Sequence, residues 1–246
     1  MNGSVNFVAI RRQFNFRGIE MGRWVTPAER DRAAVNFYQA LCDLMSALQG
    51  PEALISLRGT LGLQYGKGGR PGVAAHYVPA TRQLSLAKNA GAGSLAHEWF
   101  HAFDHYIGEK MFVTAGNMDF ASSHWLENHV IHPHRLNTLL ADCFRAIMLS
   151  ENGSEPSELF RCSQLMDEKL KVLYYAKPEE MCARAFEAFI EDAQPKSAFL
   201  VKGSRYSDEA KLGLYPKAEQ RQRINHTFQD YFFALGRALH HELGAT

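Results

Sequence analysis

The chain has 246 residues, is 46% hydrophobic and 22% charged, and carries a formal net charge of +1. That is enough apolar material for one large domain with a proper core, and the near-neutral balance gives no global sign of a nucleic-acid or anionic-membrane partner. Charge interrupts every apolar stretch too often for a membrane span, and the first residues place no charged region ahead of an apolar one. A cytoplasmic location is therefore expected, with secretion by a route lacking a signal peptide as the alternative.

Arg11, Arg12, Arg17 and Arg23 cluster near the start and read as a solvated surface, with nucleic-acid contact as the weaker reading. The first clear helix opens at Thr26-Pro27-Ala28-Glu29, a capping box with proline in the first helical position. Its expected apolar face is Val35, Tyr38, Leu41, Leu44 or Met45, and Leu48, until Gly50-Pro51 stops it. A glycine-rich stretch from 58 to 93 follows. Within it, residues 73–78 and 82–86, separated by Pro79-Ala80-Thr81, read as a β-hairpin. An edge strand there could pair with an extended peptide. His76, on the first strand, reads as a surface histidine.

The sequence then reaches His97-Glu98-Trp99-Phe100-His101, an H-E-x-x-H unit. On a helix the two histidines lie one turn apart on one face and can share a zinc ion, while the glutamate handles a proton. In a chain of this composition the pattern arises by chance roughly 0.03 times. The plainer reading is a core helix with Trp99, Phe100 and Phe103 inward and the histidines in water. Ser94 is the expected N-cap of a helix from Leu95 to about Ile107, with Gly108 as its stop. Asp104 returns to within about 20° of His97 around such a helix, which suits it to orient an imidazole from behind the metal.

Residues 109 to 134 read as polar and irregular, with His124, His129, His132 and His134 crowded together. A second metal site is the weaker reading there, because Pro133 favours a loop and the spacing fits no common pattern. Helices are expected over 135–149, from about Ser157 to Tyr174, over Pro178 to Asp192, and from about Ala218 to Leu243. Residues 196–216 read as a mobile connection. Cys42, Cys143, Cys162 and Cys182 all fall in helical segments without C-x-x-C spacing, and read as reduced, buried thiols.

A catalytic zinc normally takes three protein ligands and leaves a fourth position open, so H-E-x-x-H alone is incomplete. Glu180, Glu187 and Glu191 recur at seven and four residues along one helical face, which is either a source of the third ligand or a solvated acidic stripe. His105 competes, but it lies eight residues and about 12 Å of helical rise from His97. Position 107, where the longer metzincin pattern has a third histidine, is isoleucine.

The unit from His97 to Tyr106, followed by Tyr174-Tyr-Ala-Lys-Pro-Glu-Glu-Met-Cys-Ala-Arg-Ala-Phe186, resembles the paired motifs of glutamate-type zincins, the catalytic domain of anthrax lethal factor above all. That resemblance implies a zinc metallopeptidase in which His97, His101 and Glu180 bind Zn2+ and Glu98 is the general base. It further implies that Tyr174 or Tyr175 assists at the oxyanion. The blocks 14–25, 58–62, Ala75-His-Tyr77 and 91–98 are similar to the zincin-like domains of large polyvalent proteins of phages and mobile elements. They are also similar to bacterial CLCA-like proteins classed as peptidases. One departure is Arg184, where thermolysin-like enzymes place an acid four residues after the third ligand; Asp104 is the first choice to orient His97.

The expectation is thus an α+β, mainly helical zincin-like fold, with a small β-hairpin or sheet before the H-E-x-x-H helix. One domain covers 1–246: an N-terminal segment 1–25, a catalytic core 26–192, a loop 193–217 and a packing helix 218–246. Its partner would be a protein or peptide substrate. The rival readings are a non-catalytic module that keeps the scaffold to bind phage or host factors or nucleic acid, and a non-peptide hydrolase.

Overall fold

The computed structural model describes residues 5–67, 75–88, 93–114 and 116–244. In chain order the elements are α1 (Phe7–Phe14), β1 (Gly18–Met21), α2 (Pro27–Leu48), α3 (Glu52–Ile55), β2 (Gly62–Tyr65), β3 (Ala75–Val78) and β4 (Gln83–Leu86). They continue with α4 (Ser94–Met111), α5 (Ala121–Leu126), α6 (Arg135–Met148), α7 (Glu158–Leu170), α8 (Pro178–Asp192), α9 (Asp208–Lys211) and α10 (Ala218–Gly244). The class is α+β and mainly helical, with the small sheet ahead of α4, as expected.

The four strands lie in the order β1-β2-β4-β3, with β1–β2 and β2–β4 parallel and β3–β4 antiparallel. Because side chains alternate, the register puts Ile19, Leu63, Leu84 and Tyr77 in one cross-strand row and Glu20, Gln64, Ser85 and His76 in the next. The apolar row joins the core. The polar row is stitched by Gln64 Nε2 donating to Glu20 at 3.3 Å and Ser85 Oγ donating to Gln64 at 2.9 Å. His76 belongs to this polar row. The expected hairpin is therefore half of a larger sheet, with Val73 and Ala74 outside the described residues. Strands β1 and β3 are the two edges, and β3 packs beside α4.

Behind the sheet, α4 packs on α8, and α10 lies across α6 and α8. The seam is aromatic. The Phe186 ring sits 4.9 Å from Phe100, 5.5 Å from Trp99 and 5.8 Å from both Phe228 and Phe232. These rings are fully buried, and the Trp99 indole N–H donates to the Ile55 carbonyl at 2.9 Å. Burial plus edge and offset ring contacts hold the three helices together here.

Several boundaries differ from the sequence reading. The N-terminal segment holds α1, capped by Asn6 and burying Phe7, Ile10 and Phe14 at helical spacing, and β1. Helix α2 begins at its capping box but buries Ala34, Phe37, Leu41, Leu44 and Leu48, leaving Val35 outside that stripe and 54% exposed. Helix α4 starts at Ser94 rather than being capped by it. Gly93 takes the cap position at φ 104°, where an added Cβ would meet the Lys202 backbone nitrogen at 2.8 Å, and Ala96 N–H finds the Leu200 carbonyl at 3.0 Å.

Gly108 does not stop α4. It lies inside the helix because the Asp119 carbonyl packs where a Cβ would sit, 2.9 Å away. The region 109–134 contains the end of α4, helix α5 and an antiparallel bridge between Phe112 and Ile131. Helix α7 ends at Leu170, with Lys171 in the left-handed conformation, so Tyr174 is in a loop. The expected mobile connection is packed: it includes α9 and buries Leu200, Val201, Ala210 and Leu214. All four cysteines are free, with Cys143 and Cys182 buried and Cys42 and Cys162 half-buried. No helix among the described residues is long and apolar enough to cross a membrane.

Phe186 joins α4, α8 and α10 at one point, so Phe186→Ala opens a cavity that no single helix can close. The expected loss is about 3–5 kcal/mol of stability, read as a lower urea midpoint with an unchanged slope.

Candidate metal centre

Helices α4 and α8 each have two chemical faces. On α4, Trp99, Phe100 and Phe103 enter the core while His97, Glu98 and His101 point the other way; on α8, Phe186 and Phe189 pack inward opposite Glu180 and Glu187. The aromatic seam thus brings three potential ligands together. His97 Nε2 and His101 Nε2 are 3.0 Å apart, and the Glu180 carboxylate oxygens lie 3.3 Å from the first and 3.4 Å from the second. Bonds of about 2 Å to a tetrahedral ion separate neighbouring ligand atoms by about 3.3 Å, so the triangle fits around one zinc. His101 Nδ1 and Glu180 Oε2 are buried without a hydrogen-bond partner among the described residues.

His97 is oriented by Glu187, a role the sequence reading gave first to Asp104. Its Nδ1 lies 2.7 Å from Glu187 Oε1, and the Tyr215 hydroxyl donates to Glu187 Oε2 at 3.1 Å. An N–H donated from Nδ1 leaves the Nε2 lone pair facing Glu180 and His101. Glu187 carries a weak sequence signal, seven residues after Glu180 on the same face. Tyr215 carries none, because it arrives from a distant connection.

Asp104 is placed elsewhere, fully buried, with its carboxylate accepting from Ser122 N–H at 2.9 Å and from Ser122 Oγ. It anchors α5 to α4. His105 is fully engaged as well, with Nδ1 at 2.8 Å from the Tyr77 hydroxyl and Nε2 at 2.9 Å from the Asn117 carbonyl. Glu191 accepts from Gly203 N–H and Ser204 Oγ. Neither residue reaches the triad.

Of the two tyrosines, Tyr174 is at the centre: the residue is 44% exposed, but partial desolvation of the phenol first, then the adjacent Glu180 carboxylate, push it upward, and Glu98 adds to the effect. Tyr175 instead stacks its ring under Arg184, 5.6 Å from guanidinium carbon to ring centroid. The loop that carries them is held by Asp167, whose carboxylate accepts the consecutive N–H groups of Tyr174, Tyr175 and Ala176 at 3.2, 2.8 and 2.9 Å. Arg184, the departure from the thermolysin pattern, donates to the Leu214 carbonyl, the Tyr175 carbonyl and Ser163. It ties that loop to the segment bearing Tyr215.

The electrostatics suit a cation. Burial alone would lower His97, but Glu180 and Glu187 outweigh it and hold the imidazole up to about 10. Burial would likewise raise Glu180, yet His101 and His97 hold it well below the usual carboxylate range. A proton and a metal ion would compete for the same site. Glu98 is almost fully buried; desolvation raises its carboxyl, opposed by His97, His101 and, least, His76.

Burial lifts Asp104 to about 6 against an ordinary 3.8, despite the Ser122 bonds. A carboxyl raised in the folded state binds its proton more tightly there, so stability falls as pH rises from about 4 to about 6 and remains lower above that window. Asp104→Asn keeps an acceptor for Ser122 N–H and removes the charge. It is expected to be more stable than the parent by about 2–3 kcal/mol at pH 8 and to show no advantage near pH 4, as measured by urea denaturation.

A family model described as "Large polyvalent protein-associated domain 1" matches residues 166–239. No curated protein and no solved structure matches the chain. The matched stretch runs from the end of α7 through the Tyr174 loop, α8 and α9 into α10. It therefore includes Glu180, Glu187 and Tyr215 but not α4. The chain is similar, over its C-terminal part, to a domain associated with large polyvalent proteins, in keeping with the polyvalent-protein resemblance of its other blocks.

Proposed function

We propose that the chain is a zinc-dependent metallopeptidase of the glutamate-zincin type, hydrolysing peptide bonds with Glu98 as general base. The observation that carries this reading is the convergence of His97 Nε2, His101 Nε2 and the Glu180 carboxylate at the spacing of ligands to one ion, with the buried Glu180 Oε2 there lacking a hydrogen-bond partner among the described residues. A zinc ion held by these residues would supply Lewis acidity toward a scissile carbonyl and acidify the attacking water.

The rest is the work of the chain's own groups. Glu98, raised by burial yet beside two imidazoles, is suited to accept the proton of the attacking water and hand it to the leaving amine. Tyr174, whose phenol stays protonated, can donate to the developing oxyanion. Glu187 and Tyr215 hold His97 in the tautomer that leaves Nε2 free. The edge of β3 away from β4, which no strand among the described residues covers, lies beside α4 and offers backbone groups on which an extended peptide can lie as an added strand.

The match to a polyvalent-protein-associated domain favours a second reading, a binding module that keeps this scaffold without cleaving its partner. Glu98→Gln separates the two. The metallopeptidase is expected to lose at least about 10²-fold in kcat on any peptide it cleaves while keeping its zinc. Wild-type activity in that variant, or stoichiometric binding without cleavage by the parent, overturns the proposal. Removing the orienting carboxylate in Glu187→Gln is expected to weaken zinc binding by about 10–100-fold, measured by competition with a chelating dye.

A further inference from the structure

We propose that the C-terminal end of α5 and the turn after it form a second divalent-metal site for a zinc-like ion, with His124 Nδ1, the Glu127 carboxylate and His129 Nε2 as three ligands and water completing the coordination. Their ligand atoms all lie within 4.8 Å of one another. His129 Nε2 is 3.1 Å and His124 Nδ1 3.8 Å from the same oxygen, Glu127 Oε2. Two imidazoles and a carboxylate are a borderline donor set that suits zinc better than calcium or magnesium.

The local backbone brings these side chains together. Helix α5 ends at Leu126, Asn128 adopts the left-handed conformation at φ 60°, and His129 N–H returns to the His124 carbonyl at 3.0 Å. That closed turn sets the two imidazole rings 4.1 Å apart, over Phe112.

The tautomer of His124 supplies the independent sign of a missing ligand. Its Nε2 lies 2.9 Å from Asp119 Oδ2, which also accepts the Gly116 N–H at 2.7 Å; a carboxylate only accepts, so Nε2 is the donor. The lone pair is then on Nδ1. That atom is buried and has no hydrogen-bond partner among the described residues, while its side chain is 9% exposed. An imidazole whose far nitrogen is fixed by a carboxylate, with its near nitrogen 3.8 Å from the glutamate oxygen that a second histidine also meets, has the outer-shell arrangement of metal-bound histidines.

Such an ion would pin the segment closed by the Phe112–Ile131 bridge and the Val113 N–H bond to the Val130 carbonyl at 3.0 Å. The same segment carries Phe120, whose ring lies 6.0 Å from His101 and 5.8 Å from His105. The second site would therefore steady a wall of the first without sharing a ligand with it.

Equilibrium dialysis of the metal-stripped full chain against Zn2+, followed by metal analysis, tests this. The parent is expected to hold two zinc ions, Glu127→Ala/His129→Ala one, and His97→Ala one. Glu127 and His129 are at or near the surface, so the double variant is expected to keep its far-UV circular dichroism; the single variant His129→Ala, expected to bind the second ion at least 10-fold more weakly, serves if it does not. A parent that holds one ion and loses it only in Glu127→Ala/His129→Ala supports this site and counts against the α4–α8 centre. Equal zinc content in the parent and both α5 variants overturns the proposal.

Discussion

The packing of α4 against α8 through Phe186, Phe100 and Trp99 is the contact on which the rest of the structure depends. Each helix places aromatic rings on one side and ionisable groups on the other, so burying the first side presents the second. Two imidazoles and a carboxylate cannot attract one another strongly enough in water to order 18- and 15-residue helices. Hydrophobic burial does that, and the polar triangle is held at its spacing as a by-product. The centre is built on rigid elements, and the residues that refine it come from loops clamped to α7 by Asp167 and to α8 by Arg184.

Much of this was legible in the sequence where periodicity was long and chemistry local. The H-E-x-x-H spacing, the Thr26 capping box and the α8 boundaries all rest on patterns within a few turns of chain. Strands β1 and β2 left no such trace, because four residues with a single polar interruption do not establish a period, and their pairing is parallel and long-range. Gly108 misled for a different reason: glycine was needed for the close approach of the Asp119 carbonyl, a tertiary demand that resembles a helix stop on paper.

The same limit applies at the centre. Asp104 stood at the right angle around α4 to serve His97, but angle alone does not say which neighbour occupies that side. Ser122 took Asp104, and a carboxylate from another helix took His97. The order of charges is informative here. Glu180 and Glu187 approach His97 from its two ring nitrogens, so the imidazole is held between two negative groups that burial would otherwise neutralise. A cation, proton or metal, is the natural resident of such a place.

The segment between α8 and α10 acts at both ends of this centre. Its Leu200 carbonyl receives the first turn of α4, Lys202 packs against Gly93, and further on it delivers the Tyr215 hydroxyl to Glu187. The stretch from Leu200 to Tyr215 is therefore a ruler of fixed length. One added residue would force either the carbonyl off the helix start or the phenol off the carboxylate. Insertions that other surface loops absorb would here be felt as a change in the tilt of the His97 ring.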